Sequence, residues 1–274
     1  MKSRSEVAVG LRKSPEEALR VALSKLNEPI VTPKNIRHVV IKPSIYDPNL
    51  PGNTDANMVQ SVIRIFGSLG PVSVVESDNP LRTTQDAFLR CGYNELTGEN
   101  IELLNLSDNN TISVTFSGHF FKNRRMPRIL HEEIFLINVA TLKAEPEICT
   151  IGAGIKNLFG LLPEPNKSDY HKYINQVLMD LLEMYRPNLS VIDLTNVVIG
   201  KREDRNIKKV GGVVVGVDPV AVDSFCSSLF GIDPMEINHL KIAHALGFGE
   251  ALLDRIAVRG TKYQIEQLNQ VFNK

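Results

Sequence analysis

A chain of 274 residues can build one large α/β core or two lobes around a cleft, because single cores stop growing near ~250–300 residues. Its 31 basic and 31 acidic residues cancel, so no global field recruits nucleic acid or an anionic membrane, and any anion site has to be local. No apolar run reaches the ~20 residues that span a bilayer, and the Met1-Lys2-Ser3-Arg4 start lacks a signal-peptide core, so the expected location is the cytoplasm.

Val7 to Leu11 reads as a short strand. Ser14-Pro15-Glu16-Glu17 then opens a helix with an N-cap, a proline at its first position and a capping-box glutamate. His38 to Lys42 is a strand ending at Pro43, followed by a loop with Pro48, Pro51 and Gly52. A helix is expected from Asp55 to about Leu69, with Thr54 as N-cap and Met58, Val62, Ile65, Phe66 and Leu69 on one face. Val72 to Glu76 is a strand, Thr84 to Cys91 a helix stopped by Gly92, and Ile101 to Leu106 a further strand. This alternation argues for a mainly parallel, helix-covered sheet.

Thr111 to Ser117 alternates apolar and polar residues, as an antiparallel or edge strand does. Ile134 to Val139 is a continuous apolar run, expected as a buried strand that delivers Asn138, Thr141 and Lys143 at its carboxyl end. Asp169 to Tyr185 reads as a helix. Strands at Ser190 to Asp193 and Gly212 to Val217 precede helices at Pro219 to Phe230 and Pro234 to Leu246, then a strand at Arg255 to Val258 and a helix from Gln264 to Phe272. No linker or repeat divides the chain, so one compact domain over residues 1–274 is expected, with lobes at 1–120 and 121–274 suggested by length and by prolines near 48–51 and 163–165.

Ligands of open parallel sheets sit outside the carboxyl ends of the strands, which draws attention to Lys42, Glu76, Asp78, Lys143, Asp193 and Asp218. Between Thr150 and His171 lie Gly152, Gly154, Lys156, Asn157, Gly160, Lys167 and His171, a concentration of close-approach backbone and cationic donors that suits an anion. The spacing matches neither a P-loop nor a dinucleotide fingerprint, and a glycine-rich helix packed on the sheet would look the same. Asp218-Pro219 has the order of an N-cap before a first-turn proline. Asp223, among Val220, Ala221, Val222 and Phe225, needs a cation or hydrogen-bonded partner if it faces inward. His239 and His244 are five apart, the wrong spacing for two ligands on one helical face. Glu76, Asp193 and Asp223 have no metal-ligand spacing, so no metal is assigned. Cys91, Cys149 and Cys226 are scattered, so no iron–sulfur cluster is expected on this chain alone.

Ile41-Lys42-Pro43-Ser44, Asn53-Thr54, Val75-Glu76-Ser77, Leu142-Lys143, Ile155 to Gly160, Lys167 with His171, Val191 to Asp193 and Val217 to Asp223 together resemble the prokaryotic family named for domain of unknown function 362. The resemblance runs from about residue 37 to 260. It implies a shared ligand-binding site without naming a reaction. Many members carry ferredoxin-like cysteines on an added segment, which this chain lacks, and Lys143-Ala144-Glu145 stands where the family usually has Lys-Thr-His.

The leading expectation is an α/β enzyme that binds a small carboxylate or phosphate in a lysine-rich cleft. Lys42, Lys143, Lys156 and Lys167 would hold the anion with Thr54, Gly152, Gly154, Asn157 and Asp193, and His171 or Asp223 would move a proton. Lys42, Lys143, Lys156 and Asp223 should then face one cleft. The alternative is a non-enzymatic binding module, or a partner for an iron–sulfur redox protein that supplies the missing clusters.

Overall fold

The computed structural model describes residues 5–108, 110–145 and 150–272. In chain order the strands are β1 (Ser5–Gly10), β2 (His38–Pro43), β3 (Val72–Glu76), β4 (Ile101–Asn105), β5 (Thr111–Thr115), β6 (Asn123–Pro127), β7 (Ile134–Glu145), β8 (Thr150–Gly152), β9 (Leu189–Ile199), β10 (Ile207–Lys208), β11 (Val213–Gly216) and β12 (Ile256–Arg259). Among the described residues ten of them form one sheet, in the order β12, β1, β11, β9, β7, β2, β3, β4, with β8 on β7 and β10 on β9. The five strands from β9 to β4 are mutually parallel, whereas β11 runs antiparallel to both neighbours. The fold is α/β and mainly parallel, as expected.

Strand β1 lies between β11 and β12, and β7 joins β9 to β2, so one sheet runs through both halves. β5 and β6 form a separate two-stranded sheet. β6 escapes a reading of the sequence because Asn123-Arg124-Arg125-Met126-Pro127 has little apolar alternation; its pairing with β5 makes it a strand.

Side-chain alternation along the strands builds two cores. Val39, Ile41, Val74 and Ile137 pack with the helices Pro15–Leu23, Ala56–Phe66 and Thr84–Arg90 on one face. Val40, Leu136, Ala140 and Leu142 pack with Ile174–Met184, Pro219–Leu229 and Asn238–Ala245 on the other. The first-helix signal is realised in detail, for the Ser14 side chain accepts from the Glu17 N–H. In the second helix the cap is Asp55, whose carboxylate accepts from the Asn57 N–H; Thr54, expected to cap, turns its hydroxyl to the Val139 carbonyl instead. The helix expected over 169–185 is broken into Ser168–His171 and Ile174–Met184. Among the described residues no helix is long and apolar enough to cross a membrane.

From β2 the chain proceeds outward through β3 to β4, and from β7 it proceeds the opposite way to β9. Strands β2 and β7 are adjacent, with Lys42 opposite Asn138. This is a topological switch point, where the loops beyond the strand ends diverge and leave room for a ligand.

Candidate functional site

At the carboxyl end of β2, Lys42 is 1% exposed. Its Nζ donates to Glu76 Oε2 at 2.8 Å, to the Pro43 carbonyl at 2.6 Å and to Asn157 Oδ1 at 3.4 Å. Burial pushes the Lys42 pKa down and the Glu76 carboxylate pulls it back up. Asn157 returns its Nδ2 to the Lys42 carbonyl and to Asn138 Oδ1, and Asn138 Nδ2 donates to the Gly154 carbonyl. The short helix Gly154–Asn157 is thereby fastened across the ends of β2 and β7.

The same helix is held from beneath by Asp223, which is fully buried. Its two oxygens accept from the Gly154 and Ile155 N–H groups, each at 2.8 Å. Burial raises the Asp223 pKa to about 7 against the lowering by these two bonds. The Gly154 and Ile155 N–H groups are thus taken up by a carboxyl group of the chain itself, and both Asp223 oxygens face the helix that they anchor. Gly152 is a strand residue in β8, opposite Lys143.

Gly160 marks the closest approach. A Cβ there would lie 2.7 Å from Lys42 Nζ and 2.9 Å from Glu76 Oε1, so the backbone of Leu158–Leu161 rests directly on the ion pair and only glycine fits. Further out, Ser77 is a hub. Its N–H donates to Glu76 Oε1, its hydroxyl to the Gly160 carbonyl, and its carbonyl accepts from Arg82 Nη1. Lys167 Nζ donates to Ser77 Oγ at 3.0 Å and to the Asp78 carbonyl at 2.9 Å. Arg82 also donates to the Ile45 and Tyr46 carbonyls. Among the described residues neither Arg82 nor Lys167 makes an ion pair, although both are 8% exposed. Three cations therefore gather around Glu76, whose charge is paired with Lys42. Burial brings the Lys167 pKa to about 8; Glu76 and Glu164 oppose the shift, and Lys42 and Arg82 add to it.

Lys156 lies half-buried, with Nζ 4.2 Å from the centre of the Phe159 ring. The exposed His171 packs on the same ring, 5.1 Å between ring centres. Burial lowers the His171 pKa, and the Lys156 charge lowers it further. The buried His239 is lowered to about 4, by burial first and then by Lys156. Lys156 thus acts on two imidazoles, and its link to His239, 83 positions away by residue number, has no local signature in the sequence.

Lys143 does not join this group. Alternation along β7 puts Ala140 and Leu142 in one core and Ile137 and Val139 in the other, so Lys143 emerges with Thr141 on the face opposite to Lys42 and Asn138. Its Nζ donates to the Thr141 and Gly52 carbonyls and to Ser44 Oγ at 2.8, 3.1 and 3.2 Å. Thr54 and Asp193 belong to this second cluster. Thr54 Oγ1 accepts from the Ser44 N–H and lies 3.5 Å from Thr141 Oγ1, while Asp193 accepts from Thr195 and from the Asp55 backbone. Burial raises the Asp193 pKa and these bonds oppose it. The expectation that Lys42, Lys143, Lys156 and Asp223 share one cleft fails at Lys143, because a strand sends residues an odd number apart to opposite sides.

Arg82 and Asn138 are the residues that sequence reasoning undervalues. Arg82 lies in the turn after β3, where an arginine is ordinarily solvated, and Asn138 stands out only by its place at the end of an apolar strand. Among the described residues no three His, Cys, Asp or Glu side chains could hold a metal ion together. Cys91 and Cys226 are free thiols, and Cys149 lies outside the described residues. Two surface cavities, of about 420 Å³ beside Arg12 and Tyr263 and about 520 Å³ beside Ile232 and Leu253, lie away from the lysine network.

No curated protein matches the chain. Among solved structures, a Thermotoga maritima protein is similar at 13% identity and a TM-score of 0.43, over 80% of this chain and 60% of its own. The lactate racemase apoprotein of Thermoanaerobacterium thermosaccharolyticum is similar at 12% identity and a TM-score of 0.49, over 85% of this chain and 58% of its own. The chain spans less than two thirds of either protein, and likeness at this level does not extend to activity. The family model for the domain of unknown function DUF362 matches residues 39–228, well over half of the sequence, and the chain belongs to that family.

Proposed function

We propose that this protein binds a small anionic molecule, a carboxylate or a phosphate, at the carboxyl ends of β2, β3 and β7. The observation that carries the reading is the gathering of Lys42, Arg82 and Lys167 around the carboxylate of Glu76 at the topological switch point. Burying a cation without a counter-ion is costly. Among the described residues Arg82 and Lys167 donate only to neutral oxygens, so an anion arriving there gains the charge-assisted bonds that the carbonyls cannot give. Lys156 and His171 form the outer rim, where the half-exposed ammonium draws the anion in. The backbone around Gly160 covers the Lys42–Glu76 pair. Asp223, Asn138 and Asn157 fasten the helix Gly154–Asn157 that leads into this segment and do not touch the ligand.

Calorimetric titration with inorganic phosphate and with malate at neutral pH tests this reading. Saturable binding of at least one is expected. Lys167→Gln should weaken it by about 1.5–3 kcal/mol, the scale of a hydrogen bond to a charged group. Heats that stay flat for both anions would sink the proposal.

A further inference from the structure

We propose that Lys167 is an amine nucleophile toward small carbonyl acids, forming an imine through its Nζ atom. The recruitment of such an acid rests on the anion-binding reading above, but the chemistry rests on a separate feature, the number of acceptors each buried lysine faces.

An ammonium has three N–H donors and a neutral amine has two. Lys42 Nζ faces three acceptors, the Pro43 carbonyl, Glu76 Oε2 and Asn157 Oδ1. Lys143 Nζ faces at least three, Ser44 Oγ and the Gly52 and Thr141 carbonyls. Each of these lysines would strand an acceptor if it lost a proton. Among the described residues Lys167 Nζ faces two, Ser77 Oγ and the Asp78 carbonyl. The Ser77 hydroxyl hydrogen goes to the Gly160 carbonyl, so Ser77 acts toward Lys167 as an acceptor only. Neutral Lys167 therefore keeps both of its bonds, and its lone pair is not capped by Ser77.

The charges around it favour the same state. Lys42 and Arg82 face Lys167 from β2 and from the turn after β3. Of the carboxylates that act on it, Glu76 is paired with Lys42 and Glu164 with Arg124. A lysine crowded by cations and taken out of water becomes a nucleophile near neutral pH. The lowering of its pKa to about 8 agrees in direction with this geometry.

A carbonyl acid suits both halves of the site, its carboxylate attracted by Lys42 and Arg82 and its carbonyl carbon open to Lys167. The Lys167 lone pair forms a bond to the carbonyl carbon, and the carbonyl π pair moves to oxygen, which takes up a proton as the nitrogen gives one up. The carbinolamine then breaks its C–O bond as the nitrogen lone pair forms C=N. The nitrogen gives up its remaining proton, and the oxygen leaves with it as water. Amine and carbonyl give imine and water, with no change of oxidation state.

Reductive trapping tests it. The whole protein is incubated with pyruvate and sodium cyanoborohydride at slightly alkaline pH, which delivers a hydride to any imine, and the sites of addition are mapped by peptide mass spectrometry. Modification of Lys167 is expected to exceed the mean of the exposed lysines by about tenfold or more, since a lysine shifted towards neutrality holds far more free amine. Added phosphate should slow it, and Lys167→Arg, which keeps the charge, should lose the preferential adduct. Labelling spread over lysines by exposure, with none preferred at 167, would overturn the nucleophile; mapping on the unaltered protein decides this even if the variant folds badly. Phosphate binding without a Lys167 adduct would leave the anion site standing and remove only the imine chemistry. Absence of both would remove both.

Discussion

The two faces of the sheet carry contrasting polar clusters at the same strand ends. On one, Lys42, Glu76, Asn138, Asn157 and Asp223 join residues from five separate parts of the chain through charged or amide bonds. On the other, Lys143, Thr54, Thr141 and Ser44 meet hydroxyls and carbonyls around the Ser44–Gly52 loop. With Arg82 and Lys167 beside it, the first cluster has three cations to the two carboxylates Glu76 and Asp223, and it lies under the backbone of Leu158–Leu161. The second secures the loop that leads into the helix Ala56–Phe66. A lysine at a strand end thus has two quite different uses, and which one applies depends on the side of the sheet it points to.

The contrast is tested most severely by breaking the ion pair. Lys42→Met strands a buried Glu76 carboxylate and should cost about 3–5 kcal/mol, while adding Glu76→Leu to it should restore much of the loss. Urea unfolding of the single and double variants measures this. A single variant that unfolds like the natural protein would show that the first face is not held together by its charges.

Asp223→Asn comes next. An amide can accept from one of the Gly154 and Ile155 N–H groups but presents its own N–H to the other, so a loss of about 1–3 kcal/mol is expected. The pH dependence sharpens the test. Because the folded pKa is raised to about 7 from 3.8, the folded state holds a proton across that window when the unfolded state has released it, so this group's contribution to stability falls as pH rises from about 4 to about 7. The substituted amide cannot titrate. Unfolding free energies of the two proteins across that range should therefore converge toward pH 7; parallel curves would mean that Asp223 is ionised throughout.

On the opposite face, Thr54→Val removes the donor to the Val139 carbonyl and the acceptor for the Ser44 N–H. A cost of about 1–2 kcal/mol follows from two lost neutral bonds. Hydrogen exchange should quicken at Ser44 and in the loop after it, with the Gly154–Asn157 amides unaffected. Faster exchange at Gly154 and Ile155 instead would erase the distinction between the two clusters.

Much of this fold is legible in the sequence. Val72–Glu76 is a strand to the residue, and the Ser14-Pro15 start, the Asp218-Pro219 start and the apolar run at Ile134 all stand where local chemistry puts them. What escapes depends on pairing across distance. β6 and β8 are strands because of their neighbours. The site is legible as a set of residue types but not as a geometry. Lys42, Asn157 and Asp223 do converge on one network, yet nothing local to Lys143 says which side of β7 will meet it, since that needs the register of the whole strand. Arg82 is invisible for the same reason, its role being set by carbonyls of Ile45, Tyr46 and Ser77 brought together by two loops.

The smallest effect on stability is expected at Lys156, where the comparison turns from structure to binding. Its half-buried ammonium lies over the Phe159 ring, and a cation–π contact that keeps access to water contributes about 0.5–1 kcal/mol. Alanine is a good helix residue, so Lys156→Ala should fold almost normally. If Lys156 is the outer anchor of an anion site, the same change should weaken phosphate or malate binding by about 1.5–3 kcal/mol and let the His171 pKa rise, because a neighbouring positive charge that lowers it has gone. Calorimetry reads the first effect and proton NMR titration of the imidazole reads the second. A His171 pKa that rises while affinity stays unchanged would confirm the contact but place the anion away from the rim, leaving only the inner cations on the covered face to hold it.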